Sequence, residues 1–133
     1  LDVRERVKLA QGDTLAPIRS AHSVDVVVSN PPYLDDALMS TLPKDVRDFE
    51  PHQALYGGAD GLDIQRRLLE GAKRVLKPGG LLAVELASTD QAQELGALWS
   101  KTGLFHEPTM VQDYQGHGRV LHARRIETVG GEQ

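Results

Sequence analysis

Apolar runs separated by polar breaks divide the chain into alternating strands and helices. Five runs of aliphatic or β-branched residues predict strands, at residues 7–10, 24–28, 81–86, 105–111 and 119–125. The run at residues 24–28 is almost wholly apolar, which is typical of a strand buried on both faces of a parallel sheet. The last two predicted strands flank residues 115–118 (Gln-Gly-His-Gly), which predict a hairpin turn.

Two longer segments carry apolar residues at the three- to four-residue spacing of a helix with one buried face. In residues 61–76 this stripe consists of Leu68, Leu69, Ala72, Val75 and Leu76. In residues 90–102 it consists of Ala92, Leu95, Leu98 and Trp99. Residues 34–56 are polar and irregular and predict a long loop, of the kind that is usually functional or mobile. The order of elements predicts an α/β fold that ends in a hairpin.

Composition narrows the class of protein without identifying a function. With 133 residues, 40% of them hydrophobic, the chain corresponds to one globular domain at most. The formal charge of −4, from 15 Lys and Arg against 19 Asp and Glu, disfavours nucleic-acid binding through a broad basic face. No apolar run reaches ~18 residues, so no membrane span is predicted. Cys is absent and the five His lack the spacing of a helical metal site, so neither disulfides nor a metal are expected.

Polar clusters follow the first two predicted strands, which is where open α/β sheets usually bind ligands. Residues 12–14 (Gly-Asp-Thr) follow the first strand, and residues 30–33 (Asn-Pro-Pro-Tyr) follow the second. Each proline fixes its own φ angle, and Pro31 holds Asn30 in an extended conformation. The second cluster is therefore a stiff loop that loses little entropy when it binds.

A stiff loop of this composition suits the recognition of a planar –NH2 group. The side-chain carbonyl of Asn30 and the main-chain carbonyl of Pro31 are both acceptors, and together they can bind the two hydrogens of such a group. The ring of Tyr33 can stack on the same flat group. The plainer alternative is that residues 30–33 form only a rigid turn at the end of a buried strand.

These four residues, Asn30, Pro31, Pro32 and Tyr33, resemble the signature of class I S-adenosylmethionine-dependent methyltransferases that act on planar nitrogens. Two groups share the signature: N6-adenine methyltransferases, and the HemK/PrmC family, which methylates a glutamine side-chain amide in peptide-chain release factors. Further segments resemble the second group. They are an Arg-Phe-Glu-Pro segment with Asp48 inserted, the Ala-Leu and Gly-Gly-Ala-Asp-Gly-Leu stretches of residues 54–62, residues 77–85, and Asp113-Tyr114 with Arg119-Val120. Together they cover most of residues 7–125.

The resemblance implies a Rossmann-like class I methyltransferase fold that is incomplete. Residues 1–126 correspond to the C-terminal portion of that domain, with strands 3 to 7 and the antiparallel hairpin, and residues 127–133 to a flexible tail. The family's glycine-rich cofactor loop and the acidic residue after its second strand lie upstream of Leu1. We therefore expect the upstream part of the domain to be missing, which leaves the strand at residues 7–10 without a neighbour.

The resemblance also implies roles for individual residues. Asn30 and the carbonyl of Pro31 hold the glutamine amide nitrogen, and the ring of Tyr33 stacks on the amide plane. Pro32 belongs to the same substrate site.

On the cofactor side, Asp13 and Thr14 approach the adenine of S-adenosyl-L-methionine, and Asn30 also belongs to the cofactor-binding residues. Thr14 stands where the family often has a large aromatic residue. Without the resemblance, Asp13 reads as a turn residue. Glu50 either faces the substrate peptide or anchors its loop, and Glu85 is interpreted as a satisfied structural carboxylate.

Three hypotheses about function remain open. The first is the C-terminal half of a protein-glutamine N5-methyltransferase that modifies the Gly-Gly-Gln motif of a release factor. The second is an adenine N6-methyltransferase, and the third is an inactive or binding-only fragment. The pI of about 5.7, the segment at residues 49–51 and the absence of a target-recognition domain favour a protein substrate over nucleic acid. The expected compartment is the cytoplasm, with an organelle left open.

Overall fold

A computed structural model describes residues 2–127 of the chain. Its strands are β1 (Val24–Ser29), β2 (Leu76–Glu85), β3 (Thr109–Gln112) and β4 (Gly118–Arg124). Its helices are α1 (Asp36–Ser40), α2 (Lys44–Phe49), α3 (His52–Leu55), α4 (Asp63–Val75) and α5 (Thr89–Lys101), and a 3-10 turn spans Arg4–Arg6. The predicted flexible tail, apart from Glu127, lies outside the described residues.

The strands of residues 2–127 form one sheet in the order β1-β2-β4-β3. β1 and β2 are parallel, whereas β4 runs antiparallel to both β2 and β3. In the register of the sheet Val27 pairs with Leu82, and Leu82 pairs with Ala123, so these three side chains share one face. The parallel pair followed by an antiparallel hairpin confirms the predicted α/β architecture.

Helices α4 and α5 pack on that same face and enclose the core with it. The core contains buried residues from every layer, including Val27, Leu69, Ala72, Leu82, Val84, Leu95, Trp99, Phe105 and Leu121. Trp99 and Phe105 pack with their ring centroids 5.9 Å apart. Both helices bury the apolar stripe that their sequence spacing predicts, except that Leu98 of α5 is only half-buried. Burial of these side chains is the main stabilising contribution to the fold.

The predicted strand at residues 7–10 is wrong. This segment is irregular, Val7 is 54% exposed and Leu9 is 95% exposed. A β-strand needs a neighbour to accept and donate its ladder hydrogen bonds. No strand within residues 2–127 lies beside this segment, so its β propensity has nothing to pair with.

The prediction that residues 24–28 are buried on both faces is also wrong. Val27 is buried on the helix side, but Val26 is 49% exposed and Val28 is 74% exposed on the other side. In the described residues β1 is an edge strand, and α4 and α5 cover only one face of the sheet. The apolar pattern correctly indicated a strand, but it does not tell how many layers cover it.

The long loop predicted at residues 34–56 contains three short helices, α1, α2 and α3. Asp35 caps α1, because its side chain accepts a hydrogen bond from Leu38 N at 2.8 Å. Helices of this length carry no apolar stripe, which is why sequence periodicity missed them. The two ends of this segment are also joined, because Leu34 and Tyr56 form an isolated parallel bridge.

Candidate active site

Residues 30–33, which we call the NPPY loop, leave the carboxyl end of β1 directly. Pro31 is buried, Pro32 and Tyr33 are half-buried, and Asn30 is exposed. Just beyond the loop, Leu34 N donates to Leu55 O at 3.0 Å. The prolines and this main-chain bond hold the loop at both ends, while the Asn30 side chain remains accessible to a ligand.

Residues 57–61, the glycine loop, pack directly against the NPPY loop. Gly57 N donates to Leu34 O at 2.9 Å. A Cβ atom at Gly57 would lie 2.6 Å from Pro32 O, and one at Gly61 would lie 2.3 Å from Tyr33 O. Gly61 also has a φ of +77°, which disfavours any other residue. The two glycines therefore allow a close main-chain approach that fixes the NPPY loop.

The ring of Tyr33 ends at the carboxylate of Glu85, the last residue of β2. Its hydroxyl donates to Glu85 Oε1 over 3.5 Å, a long hydrogen bond. Burial of the phenol, and then the negative charge of Glu85, raise the pKa of Tyr33, while the positive charge of Arg119 opposes that change. Tyr33 is therefore a neutral phenol at physiological pH. Glu85, which the sequence suggested to be only structural, contacts a predicted site residue.

Arg119 connects this region to the β3–β4 hairpin. Its Nε donates to Asp113 Oδ2 at 2.9 Å, and its Nη1 donates to Ala87 O. The Asp113 carboxylate also accepts from the main-chain nitrogens of Gln115 and His117. These bonds, that from Arg119 first, lower the pKa of Asp113 to about 2. The hairpin turn is thus ordered and tied to the end of β2. Asp113 and Arg119 are also two of the positions that carry the family resemblance.

The carboxylate of Asp60 bonds the glycine loop to the start of α4. Asp60 accepts hydrogen bonds from Arg66 through both carboxylate oxygens and from Leu62 N at 3.0 Å. The hydrogen bond from Arg66 is the main cause of the lowered pKa of Asp60. Because Leu62 caps α4, these bonds join the glycine loop to the first turn of the helix.

Gln91, on α5, is a buried polar residue that the sequence analysis missed. It is 7% exposed, and its side-chain amide bonds to the NPPY loop and to the glycine loop. The signal was available, because Gln91 lies four residues before Leu95 and therefore on the core-facing stripe of α5. A polar residue on a buried stripe is seldom there without hydrogen-bond partners.

Asp13 and Thr14, the predicted adenine-side residues, lie in the irregular segment before β1. Both oxygens of the Asp13 carboxylate accept from Arg67 Nη1, at 3.1 and 2.9 Å. Thr14 is half-buried, with a φ of +50°. The segment is attached to α4 at a second point, where Arg74 donates to the carbonyls of Leu15 and Ile18. The Asp13 carboxylate is 59% exposed and has acceptor sites beyond those that Arg67 uses, so this ion pair does not block a hydrogen bond from an adenine amino group.

Glu50, the other predicted substrate contact, is exposed at the end of α2. Its main-chain nitrogen donates to Val46 O at 3.0 Å. Within residues 2–127 its side chain forms no ion pair, so its role stays a prediction. The structure thus brings Asn30, Pro31, Pro32 and Tyr33 together with Glu85, and leaves Glu50 and the pair Asp13 and Thr14 on separate segments.

Residues 2–127 contain neither a metal-binding cluster nor a membrane-spanning helix. No group of three or more His, Asp or Glu there could hold a metal ion. No helix there is long and apolar enough to cross a bilayer.

The sheet order, the hairpin and the polar motif after β1 define part of a Rossmann-like class I methyltransferase fold. Comparison with solved structures agrees. The chain superposes with a TM-score of 0.59 and 23% identity on the E. cuniculi Mtq2-Trm112 complex, described as responsible for methylation of the eRF1 termination factor. That match covers 87% of this chain and 60% of the other. A putative DNA modification methylase from Thermus thermophilus matches with a TM-score of 0.50 and 17% identity, over 92% of this chain and 55% of the other.

Curated sequences similar to this chain are named glutamine methyltransferases. The chain is 46% identical over 127 residues to a release factor glutamine methyltransferase of Moorella thermoacetica, and 43% identical over 126 residues to one of Clostridium acetobutylicum. A ribosomal protein uL3 glutamine methyltransferase of Burkholderia pseudomallei is 37% identical. No family model matches the chain.

These matches confirm that the chain is related to the HemK/PrmC family of glutamine methyltransferases. They cover 96% of this chain but 44% of the Moorella relative, and 94% against 44% for the Clostridium relative. The chain therefore spans less than half the length of these relatives.

Proposed function

We propose that this chain binds the acceptor in methyl transfer from S-adenosyl-L-methionine to a glutamine side-chain amide of a peptide-chain release factor. The observation that carries the proposal is the NPPY loop: a rigid loop at the carboxyl end of β1 with Asn30 exposed and the ring of Tyr33 half-buried beside it. The names of the curated relatives support the same acceptor. A release-factor substrate implies a compartment where translation terminates, the cytoplasm or an organelle.

The loop can orient a primary amide by its two hydrogens. The side-chain carbonyl of Asn30 accepts one N–H and the main-chain carbonyl of Pro31 accepts the other, which fixes the nitrogen and the plane of the amide. The neutral ring of Tyr33 covers one face of that plane. An amide nitrogen is a weak nucleophile, so holding it in one reactive orientation is the contribution that this site can make.

The proposed methyl donor supplies an electrophilic methyl group on a sulfonium. Asn30 is the residue of this chain that we place next to it, since its side chain is exposed at the end of β1. Asp13 is paired with Arg67 but more than half exposed, so its carboxylate keeps acceptor sites for the adenine amino group. Transfer also releases one amide hydrogen as a proton, and the exposed position of Asn30 leaves that proton a path to water. We propose no dedicated general base.

One relative acts on a glutamine of a ribosomal protein, as its name states, so a second protein acceptor deserves testing. The amide chemistry is the same for both acceptors. Specificity between them therefore depends on contacts outside the NPPY loop, for which exposed Glu50 is our candidate.

The test is methyl transfer from labelled S-adenosyl-L-methionine to a release factor with the motif Gly-Gly-Gln, and to the same factor with Gly-Gly-Ala. Ribosomal protein uL3 and adenine-containing DNA are the parallel acceptors. Label in the glutamine form alone supports the proposal, as does its loss in Asn30→Ala. Label only in uL3 would identify the ribosomal protein, and not a release factor, as the acceptor. Label only in DNA would refute glutamine methylation.

Calorimetric titration of this chain with S-adenosyl-L-methionine separates an enzyme from a binding-only module. Micromolar binding supports the proposal. Absence of binding, together with absence of transfer, would favour the third hypothesis, an inactive or binding-only fragment.

A further inference from the structure

The side chain of Gln91 joins three separate parts of the chain. Its Nε2 donates to Tyr33 O at 2.8 Å and to Asp60 O at 3.1 Å, and its Oε1 accepts from Ala87 N at 3.0 Å. Both amide hydrogens and the oxygen are therefore used. Among the described residues, Gln91 is the residue that donates side-chain hydrogen bonds to both the Tyr33 and the Asp60 carbonyl.

We propose that Gln91 is the positioning residue of the acceptor site: by bridging Tyr33 O to Asp60 O it sets where the NPPY loop presents its groups to the glutamine amide. Its effect on catalysis rests on the proposed function. Its effect on the position of the loop does not, because that can be measured without any methyl transfer.

The main chain at Gln91 is itself held in place, so the side-chain bridge has little freedom to move. Ser88 caps α5, and its Oγ accepts from Gln91 N at 3.2 Å. The next residue, Thr89, accepts at Oγ1 from Gly118 N at 2.8 Å, which ties the same helix turn to β4. A long side chain normally loses much rotamer entropy when it is held, and here burial and three hydrogen bonds offset that loss.

The lack of a side chain at Gly61 leaves the room that this bridge needs. A Cβ atom there would lie 2.3 Å from Gln91 Nε2 and 2.3 Å from Tyr33 O. Any side chain at this position would therefore push apart the donor and acceptor of the bridge. The glycine with a positive φ and the buried amide are two independent features of the chain that specify the same contact.

The Tyr33 carbonyl is the last main-chain acceptor of the NPPY loop, so its hydrogen bond fixes the peptide plane that follows the ring. Without it, the peptide plane after Tyr33 is no longer fixed, and the ring can move away from Glu85. Misplacing a reacting group by ~1 Å can lower a rate about 100-fold. We expect Gln91→Leu to lower kcat for the Gly-Gly-Gln acceptor about 10- to 100-fold, with a much smaller change in KM.

The position of the loop can be read from the Tyr33 ring. Carbon-13 labelling of the tyrosine rings gives three NMR signals, which Tyr→Phe variants assign to Tyr33, Tyr56 and Tyr114. Because burial and Glu85 raise the pKa of Tyr33, its titration reports whether the ring keeps its place. In Gln91→Leu we expect the pKa of Tyr33 to fall toward its ordinary value, while the Tyr114 signal is unchanged.

Two further variants make the comparison specific. Gln93→Leu changes an exposed glutamine on the same helix and is expected to alter neither the Tyr33 titration nor kcat. Gln91→Glu keeps the length and the oxygen that faces Ala87 N, but it places oxygen where Nε2 donates. We expect it to move Tyr33 as Gln91→Leu does, so it serves if the leucine variant fails to fold.

The outcomes separate this inference from the proposed function. If the unmodified chain transfers no methyl, the proposed function fails while the Tyr33 titration still tests Gln91. If Gln91→Leu and Gln91→Glu fold and leave the Tyr33 titration unchanged, the inference is overturned whatever the activity. It is also overturned if both variants move Tyr33 but leave kcat intact in an active chain.

Discussion

Two regions of the chain contrast in how they are held. Residues 57–127 contain α4, β2, α5 and the hairpin, which share one buried core. Residues 2–23 contain only a 3-10 turn and irregular segments, which attach through partly buried Leu15 and Ile18 to the edge of the core and through Arg67 and Arg74 to α4.

The contrast has consequences for the site. Helices form their own hydrogen bonds and need only an apolar surface to pack on, whereas a strand needs another strand. The NPPY loop is anchored by the packed region, so the acceptor site that we propose is formed by well-packed residues. Asp13 and Thr14 belong to the loosely attached region.

The largest expected difference lies in stability. Leu82 is fully buried in β2, so Leu82→Ala should lower the free energy of unfolding by about 2–5 kcal/mol. Leu9 is 95% exposed, so Leu9→Ala should change it by less than about 0.5 kcal/mol. Urea denaturation of both variants makes the comparison. Equal losses would mean that residues 7–10 are packed in solution.

A smaller difference should separate two glycines with positive φ. Gly61→Ala and Gly103→Ala both incur the cost of a left-handed alanine, about 1–2 kcal/mol. Gly61→Ala should cost a further ~1–3 kcal/mol, because its Cβ meets Tyr33 O and Gln91 Nε2, whereas nothing lies within 4 Å at Gly103. Thermal unfolding of the matched pair measures the difference. Equal costs would argue against the close approach of the glycine loop.

Acid should weaken the packed region through the hairpin. The pKa of Asp113 is lowered to about 2 by Arg119 and two main-chain donors, so its carboxylate stabilises the fold fully above the ordinary value of 3.8. That contribution is lost as pH falls toward 2. Asp113→Asn should therefore be less stable than the unmodified chain at neutral pH, and the gap should close on acidification. Arg119→Gln should shift the acid transition to higher pH, and an unchanged transition would contradict the assignment.

The smallest effect is expected where the loosely attached region meets α4. The Arg67–Asp13 ion pair is more than half exposed on both sides, so Arg67→Leu should change stability by less than about 0.5 kcal/mol. Hydrogen exchange of the amides in residues 11–18 should nevertheless become faster, and Asp13→Asn should add little further. Unchanged exchange would show that Arg74 and the packing of Leu15 and Ile18 hold this segment without the ion pair.

The sequence predicted what depends on local pattern. The stripes of α4 and α5, the strand nature of β1 and the stiffness of the NPPY loop all follow from spacing and proline geometry. It failed where the outcome depends on neighbours. Residues 7–10 have strand propensity without a partner, and the valines of β1 do not reveal that one sheet face is uncovered.

The supporting contacts of the site were beyond reach for the same reason. Gln91 and Tyr33 are 58 residues apart, and the family resemblance marked the glycine loop without saying what it touches. The roles predicted for Glu50, Asp13 and Thr14 came from the resemblance alone, and they remain predictions.

The central claim, that the acceptor site lies within this chain, can be tested without a methyl donor. A peptide containing Gly-Gly-Gln is titrated into the tyrosine-labelled chain, with a Gly-Gly-Ala peptide as control. We predict that the glutamine peptide shifts the Tyr33 ring signal, leaves Tyr114 unchanged, and loses its effect in Asn30→Ala. Equal responses to both peptides, or no response of Tyr33, would contradict the claim.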